Sequence, residues 1–563
     1  MLFIASFFLM VKLPNIAALV YFPTLFLSVG IMMLSCKKNT KENPPEFFQL
    51  VSVAVSGISG GPEFKNVPLS PDITLEFSEP VNPQHALENI TLRKNGNIKI
   101  NLSASRSGNK IVFTPQNALE EFSEYLLTIT PALQSEKGAF IRQAEVFTIK
   151  TSFDTADKFP RIPEEDLLTL VQQQTFKYFW DFAHPVSGMA RERNTSGEIV
   201  TTGGTGFGIM AILVGIHRNF ITREEGLDRI LTITNFLSAK VEKIHGAFPH
   251  WVNGSTGATV PFSEKDNGAD LVETSLLMQG LITAREYFNS PDPKETELRN
   301  KINALWENVE WDFFRKDGEN VLYWHYSNEY QWDINLKIQG WNECLITYVL
   351  AASSPTYSIP KEVYDEGWAR AGAMKNGNSY YNIPLPLGPN YGGPMFFAHY
   401  SFLGLDPFKL QDDYASYGDQ NQAHARIQWE YAKDDPKHFG YSEYIWGLTA
   451  SDHPEGYAAH SPANDLGIVA PTAALSSFPY TPEASMKALE TYYYKLGNRL
   501  WKEYGFVDAF SPSTGWVANS FLAIDQGPII IMIENYRTGF LWNLFMNAPE
   551  IKQGLSKLGF RPY

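Results

Sequence analysis

A small all-β sandwich followed by a large all-α toroid, of the (α/α)6 kind, is the fold class this sequence predicts. Three observations predict it. Short runs of alternating apolar and polar residues, with turn signals between them, occupy residues 49–153, the pattern of a sandwich made from several short strands. Helix-period patterns divided by long Gly/Pro/aromatic loops occupy residues 160–563, with no convincing strand alternation. Between the two stands Arg161-Ile-Pro-Glu-Glu-Asp166. This is a helix start, with proline in the first turn and acids at the positive end of the dipole.

Taken in order, the chain opens with an apolar run, Leu25-Phe-Leu-Ser-Val-Gly-Ile-Met-Met-Leu-Ser-Cys36, followed at once by Lys37-Lys38 and a polar stretch. The run resembles a bacterial lipoprotein signal, although Met33 stands where such signals usually carry Leu, and a start at Met10 gives the more ordinary n-region. The alternative is a plain transmembrane anchor, which needs about 20 apolar residues. Residues 1–36 are therefore read as a signal lipidated at Cys36, and 37–48, with Pro44-Pro45, as a tether. One acyl chain holds a membrane only marginally; the multiply acylated cysteine that the resemblance implies meets that need. The expected place of work is the cell envelope, at its periplasmic face or outer surface.

Strand runs follow at Leu50-Val-Ser-Val-Ala-Val, Ile73-Thr-Leu-Glu-Phe, Ile98-Lys-Ile-Asn-Leu, Lys110-Ile-Val-Phe-Thr and Tyr125-Leu-Leu-Thr-Ile-Thr. The stretch Val67–Asn82 looks like the opening of a bacterial Ig-like domain, a module that spaces or stiffens a tethered enzyme. Helical patterns then recur at Glu224–Lys240, Ala269–Tyr287, Lys294–Phe313, Trp341–Ala352, Gln420–Ala432, Pro482–Tyr504 and Ile529–Met546. Antiparallel helices in even number, closing on themselves, give the toroid, and its helix ends and loops form a cleft.

Composition narrows the chemistry. A net charge of −15 argues against nucleic acid, whose phosphates demand Lys and Arg clusters. Aromatic residues make up 14% of the chain; rings fill large cores and also stack on the flat C–H faces of pyranose sugars. With Cys36 lipidated, Cys344 is alone, so no intrachain disulfide forms. Cys344 lies in an apolar helical pattern and reads as a core residue.

The densest acidic cluster is Glu264-Lys-Asp266-Asn-Gly-Ala-Asp270-Leu-Val-Glu273. On a helix, Asp266, Asp270 and Glu273 fall at i, i+4 and i+7 and share one face. Capping accounts for Asp266 alone; the three together, flanked by Trp251 and Phe262, suit hydrogen bonding to several sugar hydroxyls. Glu343 falls within an apolar helical pattern beside Trp341, Asn342 and Cys344. A carboxyl held among rings has its charged form disfavoured, which raises its pKa towards that of a general acid. Loops combining acids with rings follow at Gly440–Tyr457, which carries Trp446 and Asp452, at Ala523-Ile-Asp525-Gln-Gly-Pro, and at Ile533-Glu534-Asn-Tyr-Arg537. Asp525 reads as presented at a turn into a helix.

Other chemistries fare worse. No HExxH and no Walker-type phosphate loop is present. Gly57-Ile-Ser-Gly-Gly61 fits GxSxG, but no helix follows it, so it reads as a glycine-rich loop. Thr202-Gly-Gly-Thr-Gly-Phe-Gly208 has no preceding strand of a βαβ unit and reads as a tight approach before a helix Ile209–His217. The histidines His245, His250, His325, His399, His424, His453 and His460 show no zinc-ligand spacing. No cofactor and no metal is expected.

Six stretches in order carry a family resemblance: Thr202–Gly208, Gly246-Ala-Phe-Pro-His250-Trp251, Asp266–Ser275, Gly340-Trp341-Asn-Glu343, Trp446-Gly-Leu-Thr-Ala-Ser-Asp452 and Ile524-Asp525-Gln-Gly-Pro. Together they resemble the glucoamylase-like bacterial β-1,2-glucanases of glycoside hydrolase family 144, over roughly residues 160–560. The resemblance implies an (α/α)6 barrel that hydrolyses β-1,2-glucan with inversion and uses no metal. It implies Glu343 as general acid, and Asp266, Asp270 and Glu273 as important cleft acids. We take Asp525 for the base side, with Asp270 as its rival. His250, Trp251, Trp341, Trp446, Asp452 and Glu534 are the further expected substrate contacts, on a monomer. The alternatives are another β-glucan on the same barrel, or a non-catalytic glycan-binding lipoprotein.

Overall fold

The computed structural model describes residues 46–561. The signal-like segment 1–36 with Cys36, and most of the expected tether, lie outside the described residues. Phe47–Phe48 is already strand, paired in parallel with Phe140–Ile141, and Phe48 is buried. The sandwich therefore begins slightly ahead of the boundary drawn from sequence.

Two five-stranded sheets form the sandwich. One runs Glu63–Val67, Glu145–Thr151, Glu124–Ile129, Ile90–Lys94, Ile98–Ile100; the other runs Ile58–Ser59, Leu50–Val55, Ile73–Phe77, Lys110–Pro115, Leu102–Ser107. Period-two alternation sends Ile73, Leu75 and Phe77 from one sheet, and Tyr125, Leu127 and Ile129 from the other, into a single core. In the GxSxG stretch, Ser56 (φ 49°) and Gly57 (φ 81°) turn a tight hairpin into the edge strand Ile58–Ser59. Positive φ at both turn residues is what such hairpins require, and no nucleophile elbow exists there. The sandwich is fastened to the helical domain where Glu121 pairs with Arg499 at 2.8 Å; in the segment that joins them Arg161 pairs with Glu490 at 3.0 Å, and Phe159 stacks on Tyr493.

The helical domain opens with Glu164–Trp180, whose first turn carries Glu164, Glu165 and Asp166. Helix Thr202–His217 starts at Thr202, not at Ile209, and takes the glycines into its first turns. Their role is clearance. A Cβ on Gly206 would stand 2.2 Å from the Leu276 carbonyl oxygen, and one on Gly280 would stand 2.2 Å from that of Gly206. Helices Thr202–His217 and Leu271–Tyr287 therefore cross in backbone contact. Helix Ala523–Thr538, late in the chain, packs against both Thr202–His217 and the first helix Glu164–Trp180.

Several boundaries differ from the sequence pattern. The Ile529–Met546 stretch is two helices, Ala523–Thr538 and Phe540–Asn547, broken at Gly539 with φ 66°. Helix Pro482–Glu490 gives way to a wider turn and the hairpin Trp501–Lys502/Gly505–Phe506. A three-stranded sheet of Ile199–Thr201, Trp251–Asn253 and Thr259–Val260, and a hairpin of Ala450–His453 with Gly456–Ala459, also line the domain. Strands this short cannot display alternation in sequence.

Candidate active site

The acids 266, 270 and 273 do converge, but not as one helical face. Ala269–Asp270 is a short strand paired with His325–Tyr326, and Asp270 is the N-cap of Leu271–Tyr287. Its Oδ1 accepts the N–H groups of Val272 and Glu273, each at 2.9 Å, which is ordinary capping geometry. Asp266 sits in a turn ahead of the helix, so only Glu273 is helical. The ladder places Asp270 opposite His325, and a chain of alternating charge results. Asp266 meets His325 Nε2 at 3.0 Å, and that nitrogen meets Asp270 Oδ2 at 3.3 Å. Asp270 Oδ2 meets His250 Nδ1 at 3.2 Å, and His250 Nε2 lies 3.8 Å from Glu273. Trp324 Nε1 donates to the same Asp270 oxygen at 3.2 Å. Gly203 N–H, at the start of Thr202–His217, donates to Glu273 Oε2 at 2.7 Å.

These contacts set the charges. Burial alone would depress both histidines; the carboxylates outweigh it and raise His250 to about 9 and His325 to about 10. Burial would raise Asp270, but the His250 hydrogen bond and the His325 charge hold it well below the usual carboxylate range. Glu273 moves upward, through burial and the charge of Asp270 against the pull of His250. His250, Asp266 and Asp270 bring three donor atoms within 4.8 Å, a spacing that could hold a cation. His325 and Trp324 already aim proton donors at those carboxylate oxygens. His325 and Trp324 were missed in the sequence; their signal was only the dipeptide of a ring and an imidazole, Trp324-His325.

Glu343 stands in a turn, not within a helix: the helix is Leu345–Ser353 and Cys344 is its N-cap residue. Asn342 Oδ1 accepts the Cys344 N–H at 2.9 Å, and Ser401 donates to the Glu343 carbonyl oxygen. Glu343 as a residue is half-buried. Burial, then the charges of Asp270 and Glu273, push it up to about 7. Burial also pushes the Cys344 thiol far up, so Cys344 is an inert core residue.

Asp525 lies in the first turn of Ala523–Thr538 and is 2% exposed. It faces Asp508, which sequence reading missed. Asp508 Oδ2 accepts the Asp452 N–H at 2.7 Å, and Asp452 takes Arg193 Nη1 at 3.2 Å and the Ser520 hydroxyl. Glu192 pairs with Arg193 Nε at 3.1 Å. One guanidinium thus pairs with two of the four carboxyls. Burial and then the charge of Asp452 push Asp508 up to about 7; burial and Asp508 push Asp525 well upward. The signal for Asp508 was a lone acid between apolar residues, Phe506-Val-Asp508-Ala-Phe510. Tyr400 lies between the two clusters, its hydroxyl exposed to the charges of Asp525 on one side and Glu343 and Glu273 on the other.

Among the expected contacts, Trp251 and His250 stand at the cleft: His250 stacks on Phe262 at 4.2 Å, and Trp251 meets Phe262 edge-on at 4.8 Å. Phe262 is 50% exposed and offers a free ring face. Trp341 and Trp446 are core residues instead. Trp341 is buried against Phe402 and Tyr417, and fully buried Trp446 donates to the Ala484 carbonyl. Glu534 lies away from both clusters, fully buried, where it pairs with Arg218 at 2.6 Å and accepts from Gln172 and Thr538. Its carboxyl is lowered against the burial effect by these donors, so it ties helices together.

Comparison with known proteins gives two family models: one described as "putative glucoamylase" over residues 335–549 and one described as a bacterial Ig-like domain over 52–155. The chain is 49% identical over 428 residues to an exo-β-1,2-glucooligosaccharide sophorohydrolase (non-reducing end) of Parabacteroides distasonis. That match covers 72% of this chain and 59% of the relative, so the chain spans less than two thirds of that protein's length. An endo-β-1,2-glucanase structure from Chitinophaga pinensis, with sophorotriose and glucose, is 50% identical, with a TM-score of 0.70 over 71% of this chain and 99% of that one. A β-1,2-glucanase structure from P. distasonis is 40% identical, with a TM-score of 0.69 over 91% of this chain and 74% of that one.

Proposed function

We propose that this chain, which belongs to the glucoamylase-like β-1,2-glucanase family, hydrolyses β-1,2-glucan to sophorose or short sophoro-oligosaccharides with inversion, using Glu343 as proton donor. The observation that carries this reading is the carboxyl of half-buried Glu343, pushed up to about 7 beside the acids Asp270 and Glu273. An acid of that pKa is protonated in half or more of the molecules at neutral pH and still yields its proton readily. Glu343 gives its proton to the glycosidic oxygen while a water attacks the anomeric carbon from the opposite face. The base side falls to Asp525, because every lone pair of Asp270 is engaged by a cap or an imidazolium. An inverting pair stands about 6.5–9.5 Å apart to admit that water. The Asp266–Asp270 side and the Phe262–Trp251 rings hold the sugar through hydroxyls and a flat face.

The same reading includes closure of the helices into an (α/α)6 toroid. Contact of Ala523–Thr538 with the first helix supports it, as does the meeting of helix starts, where a Cβ on Gly204 would touch Ala523. It also includes a lipid anchor at Cys36 that holds the enzyme at the cell envelope; Cys36→Ser is expected to release the protein from membranes. The test of function is incubation of the chain from Lys37 with linear β-1,2-, β-1,3-, β-1,4- and α-1,4-glucans. Cleavage of the β-1,2 polymer alone is expected, and the product sizes separate endo from exo action. Binding of that polymer without cleavage refutes the reading in favour of a glycan-binding protein.

A further inference from the structure

Asp508 has no place in the scheme above, yet it is 1% exposed and lies against Asp525, itself 2% exposed. Asp508 Oδ1 and Asp525 Oδ2 are both buried without a hydrogen-bond partner, and the two carboxyls face each other. Two carboxylates offer four acceptors and no donor. A hydrogen bond between them requires a proton.

The geometry points to Asp508 as a positioning residue that shares one proton with Asp525, so that the two carboxyls act as a single monoanionic base. The inference rests on the hydrolytic reading of the site. The charged and titratable groups facing Asp525 agree with it. Asp452 comes from the hairpin Ala450–His453, and Arg193 and Glu192 from the loop before Ile199. Tyr178 comes from the first helix, and Tyr400 and Tyr457 from the facing loops. Arg193 is the one cation of the set, and Glu192 and Asp452 already occupy it. A second negative charge at Asp508–Asp525 would be buried and uncompensated, which folds avoid by retaining a proton.

In the reaction, the attacking water loses one O–H bond as its oxygen bonds to the anomeric carbon. The glycosidic C–O bond breaks towards the leaving oxygen, which takes the Glu343 proton. The water's proton enters the carboxyl pair, which passes from one proton to two and returns one to solvent as Glu343 regains its own.

Asp508→Asn tests this, because the amide keeps an acceptor for the Asp452 N–H and offers Asp525 a permanent donor. The amide introduced at position 508 then holds Asp525 ionised. The acid limb of kcat/KM on β-1,2-glucan is expected to move down by about one pH unit or more, as hydrogen bonding to the charged form dictates. With Glu343 replaced by Gln in every protein compared, so that its own raised carboxyl is silent, the infrared intensity of protonated buried carboxyls at pH 7 is expected to fall in Asp508→Asn and in Asp525→Asn alike. An unmoved acid limb, or an infrared intensity unchanged by Asp508→Asn, overturns the proposal. Loss of hydrolysis in Asp508→Asn with activity kept in Asp525→Asn also overturns it, by making Asp508 the base. If the wild type cleaves no glucan, the functional reading has failed, and the infrared arm still decides the shared proton. If Asp508→Asn does not fold, Asp525→Asn carries the infrared test by itself.

Discussion

Replacing Glu343 by Gln removes one transferable proton and almost no volume. The turn that holds residue 343 is built from main-chain contacts, the Asn342 side chain to Cys344 N–H and Ser401 to the residue 343 carbonyl. These survive the change, so binding and folding should too. What is lost is protonation of the leaving oxygen, a contribution typically of about 10²–10⁴-fold, or about 3–5 kcal/mol of transition-state stabilisation. The wild-type rate should fall as pH rises through about 7, where burial and the charges of Asp270 and Glu273 place the Glu343 proton. In Glu343→Gln that basic limb disappears, because no group remains there to lose. The assay is the pH profile of kcat/KM on β-1,2-glucan, repeated with a sophoroside bearing an activated aryl leaving group. A good leaving group needs little protonation, so Glu343→Gln should recover much of its deficit on that substrate. Activity within about threefold of wild type on the polymer, far short of the usual general-acid effect, would refute Glu343 as the acid. A basic limb unchanged in the variant would refute it equally.

The ring platform makes a separable prediction: Phe262→Ala should raise KM by about 3–10-fold with little change in kcat, as the loss of one stacked face worth about 0.5–1.5 kcal/mol implies. A fall in kcat larger than the rise in KM would place Phe262 in the chemistry instead. Gly206→Ala puts a Cβ 2.2 Å from the Leu276 carbonyl and should cost about 3 kcal/mol or more of stability, the upper range for overpacking. A thermal midpoint equal to wild type would show that the helix crossing yields. Prolonged chelation should leave the rate unchanged, because imidazolium and indole donors already meet Oδ2 of Asp266 and of Asp270; a loss restored by a divalent ion would show a cation at His250, Asp266 and Asp270.

The parts of this architecture that were legible in sequence are those whose signal is local. Strand alternation in Ile73–Phe77 and Lys110–Pro115 is read two residues at a time, and the strands form where it falls. The acid row 266–273 was visible by density, but its geometry was not. A strand pairing with His325–Tyr326, some 55 residues away in the chain, turned an expected helical face into a cap and a turn. The glycines of Thr202–Gly208 look like a loop because glycine weakens isolated helices. They are helical because a neighbouring backbone occupies the space a Cβ would need. Glu534 and Asp525 share one helix and look alike in sequence; only the long-range partner, Arg218 for one and Asp508 for the other, separates a carboxyl tied to a guanidinium from one set against another acid.

The two acid clusters show how counter-ions divide the labour of one cleft. Asp266, Asp270 and Glu273 sit with two imidazolium rings, and Asp270 stays ionised through acid conditions even though it is fully buried. Glu192, Asp452, Asp508 and Asp525 sit with a single guanidinium, and Glu192, Asp508 and Asp525 are all pushed upward. Burial is nearly complete for Asp270, Asp508 and Asp525 alike, so the positive charge within reach is what separates Asp270 from the other two. Glu343 takes its raised pKa partly from the negative charge kept at Asp270. The histidines that hold Asp270 ionised therefore also help to keep Glu343 protonated. Burial comes first in holding the Glu343 proton, and the charges of Asp270 and Glu273 add to it.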